Sequence, residues 1–153
     1  MPVRMELSRI LIRELNDYQL IELREVAASE DEPGNGHGPS YSQVEGGRSF
    51  PIVIGLPEAQ AIERRLKGIQ IKRPQTHDLL MSIITSLGGK LESIAINDLS
   101  EHTFFALLNI RDKAGKLLKI DSRPSDAIAL GIANNVPIYV EEHVLEAAQS
   151  EEP

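Results

Sequence analysis

The stretch IDSRPSDAIALG, residues 120–131, decides the fold of this chain. It closes a strand at Ile120 and Asp121, turns at Arg123 and Pro124, and enters a segment that is apolar on nearly every side: Ala127, Ile128, Ala129, Leu130, Ile132 and Ala133. A helix with no polar face has to be buried, and a buried helix needs its first backbone N–H groups satisfied. Pro124 suits the first helical turn, and Ser122 and Ser125 supply capping hydroxyls. Asp126, in that same turn, gains about 0.3–1 kcal/mol from the helix dipole. Capping therefore accounts for most of the polar residues here, but not for Asp121, which precedes the helix, nor for Arg123.

Upstream, KRPQTHDLL at residues 72–80 has the same order of arginine, proline, hydroxyl and carboxylate before an apolar periodic segment. Thr76 is placed to cap, Leu80, Ile83, Ile84 and Leu87 to form the buried stripe, and Gly88 with Gly89 to stop the helix. Before it, FPIVIG reads as a short buried strand and Pro57 opens a helix with Ala59, Ile62 and Leu66 on one stripe, followed by a short strand GIQI at 68–71. KLESIAIND, TFFALLNIR and KLLKID, joined by short polar turns, form an antiparallel meander. VPIYV is a last strand, and a short helix begins near Glu141. At the other end, residues 3–27 read as a hairpin turning at Asn16 and Asp17, with room for a bulge. The sum is an α+β domain: a mixed β-sheet containing a hairpin and a meander, with helices packed on it.

A chain of 153 residues accommodates one domain, assigned to 1–150, with residues 151–153 as a tail. Residues 29–47 are acidic, then glycine-rich, and lack any apolar period, as in a mobile loop. With no cysteine, thiolate metal sites and disulfides are excluded. The N-terminus lacks a signal-peptide core and no apolar run is long enough to cross a bilayer, so no membrane partner and a cytoplasmic location are expected.

The net charge of −7 weighs against a polyanionic partner, but its distribution does not. Residues 48–90 carry 7 basic and 3 acidic groups, whereas the flanking segments are strongly acidic. Arg64, Arg65, Lys67, Lys72 and Arg73 are candidates for a nucleic-acid patch, with a solvated helix face as the competing reading. If the two Arg-Pro corners converge, Arg73, Thr76, Arg123 and Ser125 could hold phosphate. His77, Asp78, Asp121 and Asp126 would be acid/base and catalytic candidates, and Asp121 with Asp126 could bind Mg²⁺ or Mn²⁺. Those are parts for phosphodiester hydrolysis. His37, His102 and the pair His143 and Glu146 sit in loops or a solvated helix start. No organic cofactor is expected: no P-loop, dinucleotide fingerprint, zincin or hydrolase-elbow motif is present. Aromatic residues at 4% supply few base-stacking platforms.

Taken together, FPIVIGLPEAQAI, RPQTHDLL, LGGKLESIAINDL, TFFALLNI and DSRPSDAIALGI resemble the bifunctional nuclease domain family, from about Val3 to Ala148. The resemblance implies an α+β fold, homo-oligomers with a dimer favoured, and cleavage of both DNA and RNA. The long segment 29–47 departs from the usual pattern, where a short link is normal. A non-catalytic binding or regulatory module built on the same corners stays open beside the nuclease reading.

Overall fold

The computed structural model describes residues 2–13, 15, 18–28 and 41–150. Strands β1 (Val3–Leu11) and β2 (Gln19–Ala28) pair antiparallel, with a register shift between Leu7 and Arg9. The expected turn at Asn16 and Asp17 lies outside the described residues. So does 29–40 of the expected loop, but its remainder is not all loop. Tyr41–Gln43 forms strand β3, paired with the end of β2, and Ser49–Ile54 forms β4, paired with the same edge further along. The meander is present as β5 (Lys90–Ser100), β6 (Thr103–Arg111) and β7 (Leu117–Ser122). Strand β8 (Ile138–Val140) lies between β1 and β5, antiparallel to the first and parallel to the second. The resulting order, β3-β2-β1-β8-β5-β6-β7 with β4 on β2, is a mixed sheet of eight strands among the described residues.

Four helices complete the α+β fold: α1 (Leu56–Leu66), α2 (Thr76–Ser86), α3 (Pro124–Gly131) and α4 (Glu142–Ser150). In β4 the side chains of Phe50, Ile52 and Ile54 are buried while Pro51 and Val53 are exposed, the alternation of a strand with one covered face. Those buried residues join Met5, Ile21, Ile94, Ile96 and Val140 from the other strands and Ile62, Ile128 and Leu145 from the helices in one core cluster. Helix α3 sits at its centre, with Ala127 through Gly131 all buried, as its lack of a polar face requires.

Four local expectations are corrected. Neither Ser122 nor Ser125 caps α3: Arg123 is its N-cap residue, without a side-chain cap, and the Ser122 hydroxyl donates to the Arg123 carbonyl at 2.8 Å. GIQI is not a strand: Gly68 takes φ +62°, its N–H donates to Arg65 O and the Ile69 N–H to Arg64 O. This is a Schellman stop on α1, and it leaves Ile69 and Ile71 in an exposed connection. Thr76 does not cap α2. Gln75 is the N-cap, and the Asp78 carboxylate accepts its backbone N–H at 3.0 Å. Nor is the α2 stripe buried: Leu80, Ile83 and Leu87 are 42%, 46% and 74% exposed, and contact with a small side cluster falls to Met81 and Ile84.

Helix α4 is tied to the sheet by Arg48, whose guanidinium reaches Glu25 on β2 and Glu142 on α4. Its hydrogen bonds hold both carboxyls below their ordinary value of 4.5. Groups with folded pKa values lowered in this way stabilise fully above about 4.5, and that contribution is lost as pH falls through the folded values. Thermal melting between pH 7 and pH 3 should therefore show a midpoint that drops below about pH 4.5. The drop should be shallower in Arg48→Met, and an identical acid limb in the two proteins would remove Arg48 from this role.

Candidate functional site

Three proline-started or proline-preceded helices bring their N-terminal turns together. Pro57, Glu58, Ala61 and Arg64 of α1, Gln75, Thr76 and His77 at the start of α2, and Arg123 and Asp126 at the start of α3 line one open groove. Each helix start adds the positive end of its dipole, which favours anions, although at α2 the capping box already satisfies the backbone N–H groups of Gln75 and Asp78. The helix starts that follow the two Arg-Pro pairs, about fifty residues apart in sequence, meet here in space, while Arg73 and Pro74 themselves do not line the groove.

At the centre, His77 Nε2 lies 3.0 Å from Asp126 Oδ1. The other Asp126 oxygen accepts from Arg123 Nε at 2.7 Å, and Arg123 Nη2 reaches Oδ1 at 3.1 Å. Arg123 Nη1 donates to Glu58 Oε1 at 3.1 Å, so one guanidinium joins carboxylates on α1 and α3. Burial alone would raise the Asp126 pKa, but hydrogen bonds from Arg123 and His77 outweigh it and hold the carboxyl below its usual range. The same contact with Asp126, followed by that with Glu58, raises Arg123. A carboxylate bonded to Nε2–H leaves Nδ1 as the basic ring nitrogen. His77 is 13% exposed, whereas Arg123 is 63% exposed.

The remaining candidates separate into those near this centre and those elsewhere. Thr76 and Arg64 line the groove, with Arg64 Nε donating to Gln75 Oε1 at 2.9 Å. Asp78 faces away into the α1–α2 contact, where it caps Gln75 and pairs with Arg65 at 3.2 Å. Arg65 is 8% exposed, donates also to Ala61 O, and so ties helices together instead of facing a ligand. Lys67 pairs with Glu63 at 3.0 Å one turn back, while Lys72 and Arg73 project from the exposed connection outside the groove. The expected patch is therefore divided: Arg64 contributes to the groove and Arg65 does not. Asp121 is exposed on β7 opposite Leu107, also outside the groove. Ser125 is buried and lines a second groove on the other side of Arg123.

Glu58 escaped the sequence reading. Its signal was the third proline corner, LPE at 56–58, which resembles an ordinary helix start until Arg123 is seen to bridge to it.

The donor set does not fit a resident divalent ion. Among the described residues there is no cluster of three or more His, Asp or Glu side chains able to hold a metal. Asp126 already binds Arg123 and His77, and the guanidinium stands between Glu58 and Asp126 where a cation would have to sit. Of the expected metal pair, Asp126 lines the groove and Asp121 does not.

Among proteins of known sequence, the chain is 41% identical over 127 residues to an uncharacterized protein of Mycobacterium tuberculosis strain H37Rv, covering 83% of this chain and 75% of that one. It is 22% identical over 132 residues to Bifunctional nuclease 1 of Arabidopsis thaliana and 23% identical over 133 residues to Bifunctional nuclease 2 of the same plant. These matches cover 79% of this chain but only 41% and 40% of the plant proteins. The family model described as the bifunctional nuclease domain matches residues 42–153, which contain all three helix starts of the groove. A match over most of the chain, joined to that relative at 41% identity, establishes that this protein belongs to the bifunctional nuclease domain family.

Proposed function

We propose that the groove hydrolyses phosphodiester bonds of nucleic acid. The observation that carries this reading is the 3.0 Å contact between His77 and Asp126, two residues of separate corners. A histidine oriented through one nitrogen by a carboxylate is suited to take a proton from water or give one to a leaving oxygen through the other. Arg123 supplies the anion contact. Of the five N–H groups of a guanidinium, three are bonded to Asp126 and Glu58, and the rest are available on a largely exposed side chain. Arg64 lines the same groove, and the helix starts add their own positive potential. The plant relatives bearing the name bifunctional nuclease add family support.

Mg²⁺ or Mn²⁺ enters this reading as a companion of the polyanionic substrate. Magnesium commonly binds through substrate phosphates with only one or two carboxylates, and Asp121 is an exposed carboxylate at the end of β7. Thermal melting of the free protein with millimolar Mg²⁺ should therefore leave the midpoint unchanged. Plasmid DNA and a structured RNA incubated with Mg²⁺, with Mn²⁺ and with chelator test the reaction itself. A rival reading, a non-catalytic binding module, is favoured by the pairing of Arg123 with two carboxylates and by the net charge of −7. Absence of cleavage under every condition would decide for it.

The family expectation of a dimer has a physical counterpart in α2. Leu79, Leu80, Ile83 and Leu87 are all exposed, an apolar face too continuous for a solvated helix. We assign this face to a second copy of the chain. Sedimentation at micromolar concentration should give a dimer for the wild type and a monomer for the double variant Ile83→Asp, Leu87→Asp. A monomeric wild type would remove the assignment.

A further inference from the structure

The second groove, on the other side of Arg123, has a volume of about 610 Å³. Glu58 and Arg123 line it as well as the groove that holds His77, so one ion pair divides two adjoining spaces. Its walls differ in character from those of the first. Tyr18, Val53, Phe104, His102 and Ser125 face it. Tyr18 is 54% and Val53 61% exposed, which leaves apolar surface uncovered at the rim. Phe104 is fixed from behind by stacking on Phe50, with ring centroids 5.4 Å apart. The volume lies within the roughly 300–1,000 Å³ range of small-molecule sites.

The backbone at the rim carries strain. Glu101 and His102 are the central residues of the two-residue turn between β5 and β6, whose flanking pair is Ser100 and Thr103. They take φ of +52° and +63°. Such a turn favours Asn-Gly because left-handed backbone is unfavourable for most side chains. Here it carries an imidazole into the wall of the groove beside Arg123. Strain of this sort is concentrated at binding and catalytic positions.

We propose that this groove is a nucleobase subsite and that the substrate is therefore an unpaired nucleotide segment, not intact duplex. The proposal rests on the phosphodiester reading of the adjoining groove. A phosphate on the outward N–H groups of Arg123 puts its own sugar and base beside the divide, where Tyr18 and Phe104 offer faces for stacking. Ser125 lines the same wall with a hydroxyl for a base edge, and His102 closes the groove beside it. A base paired within a duplex cannot turn into a groove of this shape without leaving its partner.

The test uses the full chain, with a 5′-nucleoside monophosphate and ribose 5-phosphate as probes, titrated by calorimetry. The nucleotide should bind about tenfold tighter than ribose 5-phosphate, the gain expected for one stacked base. Tyr18→Ala, at an exposed position, should erase that margin while leaving ribose 5-phosphate binding unchanged. His102→Gly, which removes a side chain from the groove wall, should lose part of the margin. In cleavage, a single-stranded oligonucleotide should be cut at least about tenfold faster than its duplex.

Equal binding of the two probes, with oligonucleotides still cut, would overturn the subsite and leave hydrolysis standing. A nucleotide margin that disappears in Tyr18→Ala, without cleavage of any substrate, would uphold the subsite and overturn hydrolysis. Failure of both probes to bind would overturn both.

Discussion

His77→Gln should lower phosphodiester cleavage by roughly 10²–10⁴-fold, the usual contribution of a positioned proton-transfer group. Glutamine keeps an N–H donor that can serve the Asp126 carboxylate, but it has no nitrogen that titrates near neutral pH. The variant thus removes proton transfer with little disturbance of the Arg123–Asp126 contact. Even complete loss of this one hydrogen bond to an ionised carboxylate would cost only about 1.5–3 kcal/mol. Asp126→Asn should be similarly damaging for a different reason: an amide no longer fixes the imidazole tautomer, and Arg123 loses one of its two charged partners. Binding of ribose 5-phosphate separates the two, because His77→Gln should retain it and Asp126→Asn should change it through the released guanidinium. Asp121→Ala belongs in the same series. A loss comparable to that of His77→Gln would mean that this exposed carboxylate works on the reaction with a substrate-borne metal ion. An unchanged rate would leave it as the end of β7. If His77→Gln cleaves at the wild-type rate with its fold intact, the chemistry lies elsewhere.

The corners were legible because their residue types are over-determined. A helix with no polar face had to be α3, proline had to open it, and Asp121 and Arg123 exceeded what capping needs. Meeting of the corners was open in the sequence, and the structure brings together His77, Asp126, Arg123 and Thr76 while leaving Arg73 and Asp121 outside. Each of those two stands three residues before its helix, on the incoming chain, and neither lines the groove. Asp78 and Arg65 looked like chemistry in one dimension, but their side chains pair with each other between α2 and α1. The α2 stripe was misread because an apolar period records only that a face avoids water. Whether it is covered by the same chain or by another is not written in the period. A 4% aromatic content does not record where the few rings lie, and two of them, Tyr18 and Phe104, line one groove.

Ile128→Ala should destabilise the protein by about 2–5 kcal/mol, the cost of emptying a buried isoleucine site. Ile128 is 0% exposed on α3 and belongs to the main core cluster with Ile94, Ile96 and Ala106 of the sheet. Collapse of neighbouring groups into the space is restricted, because the backbone on both sides is held in regular structure. Just beyond, at Gly131, an added Cβ would stand 2.8 Å from Ile94 Cδ1 and 3.0 Å from Val136 Cβ. Helix α3 therefore cannot settle closer to β5 at that end, and the cavity should persist. Domains of this kind have about 5–15 kcal/mol in total, so the urea midpoint should fall steeply with little change in slope. Leu87→Ala is the control: its side chain is 74% exposed, and its effect on unfolding should stay within about 0.5 kcal/mol when the chain is monomeric. Because α3 carries Arg123 and Asp126 into the groove, molecules of Ile128→Ala that remain folded should keep the wild-type affinity for ribose 5-phosphate. A cost below about 1 kcal/mol would mean that α3 is not packed against the sheet, and with that contact would go the reason for its two charged residues to meet His77.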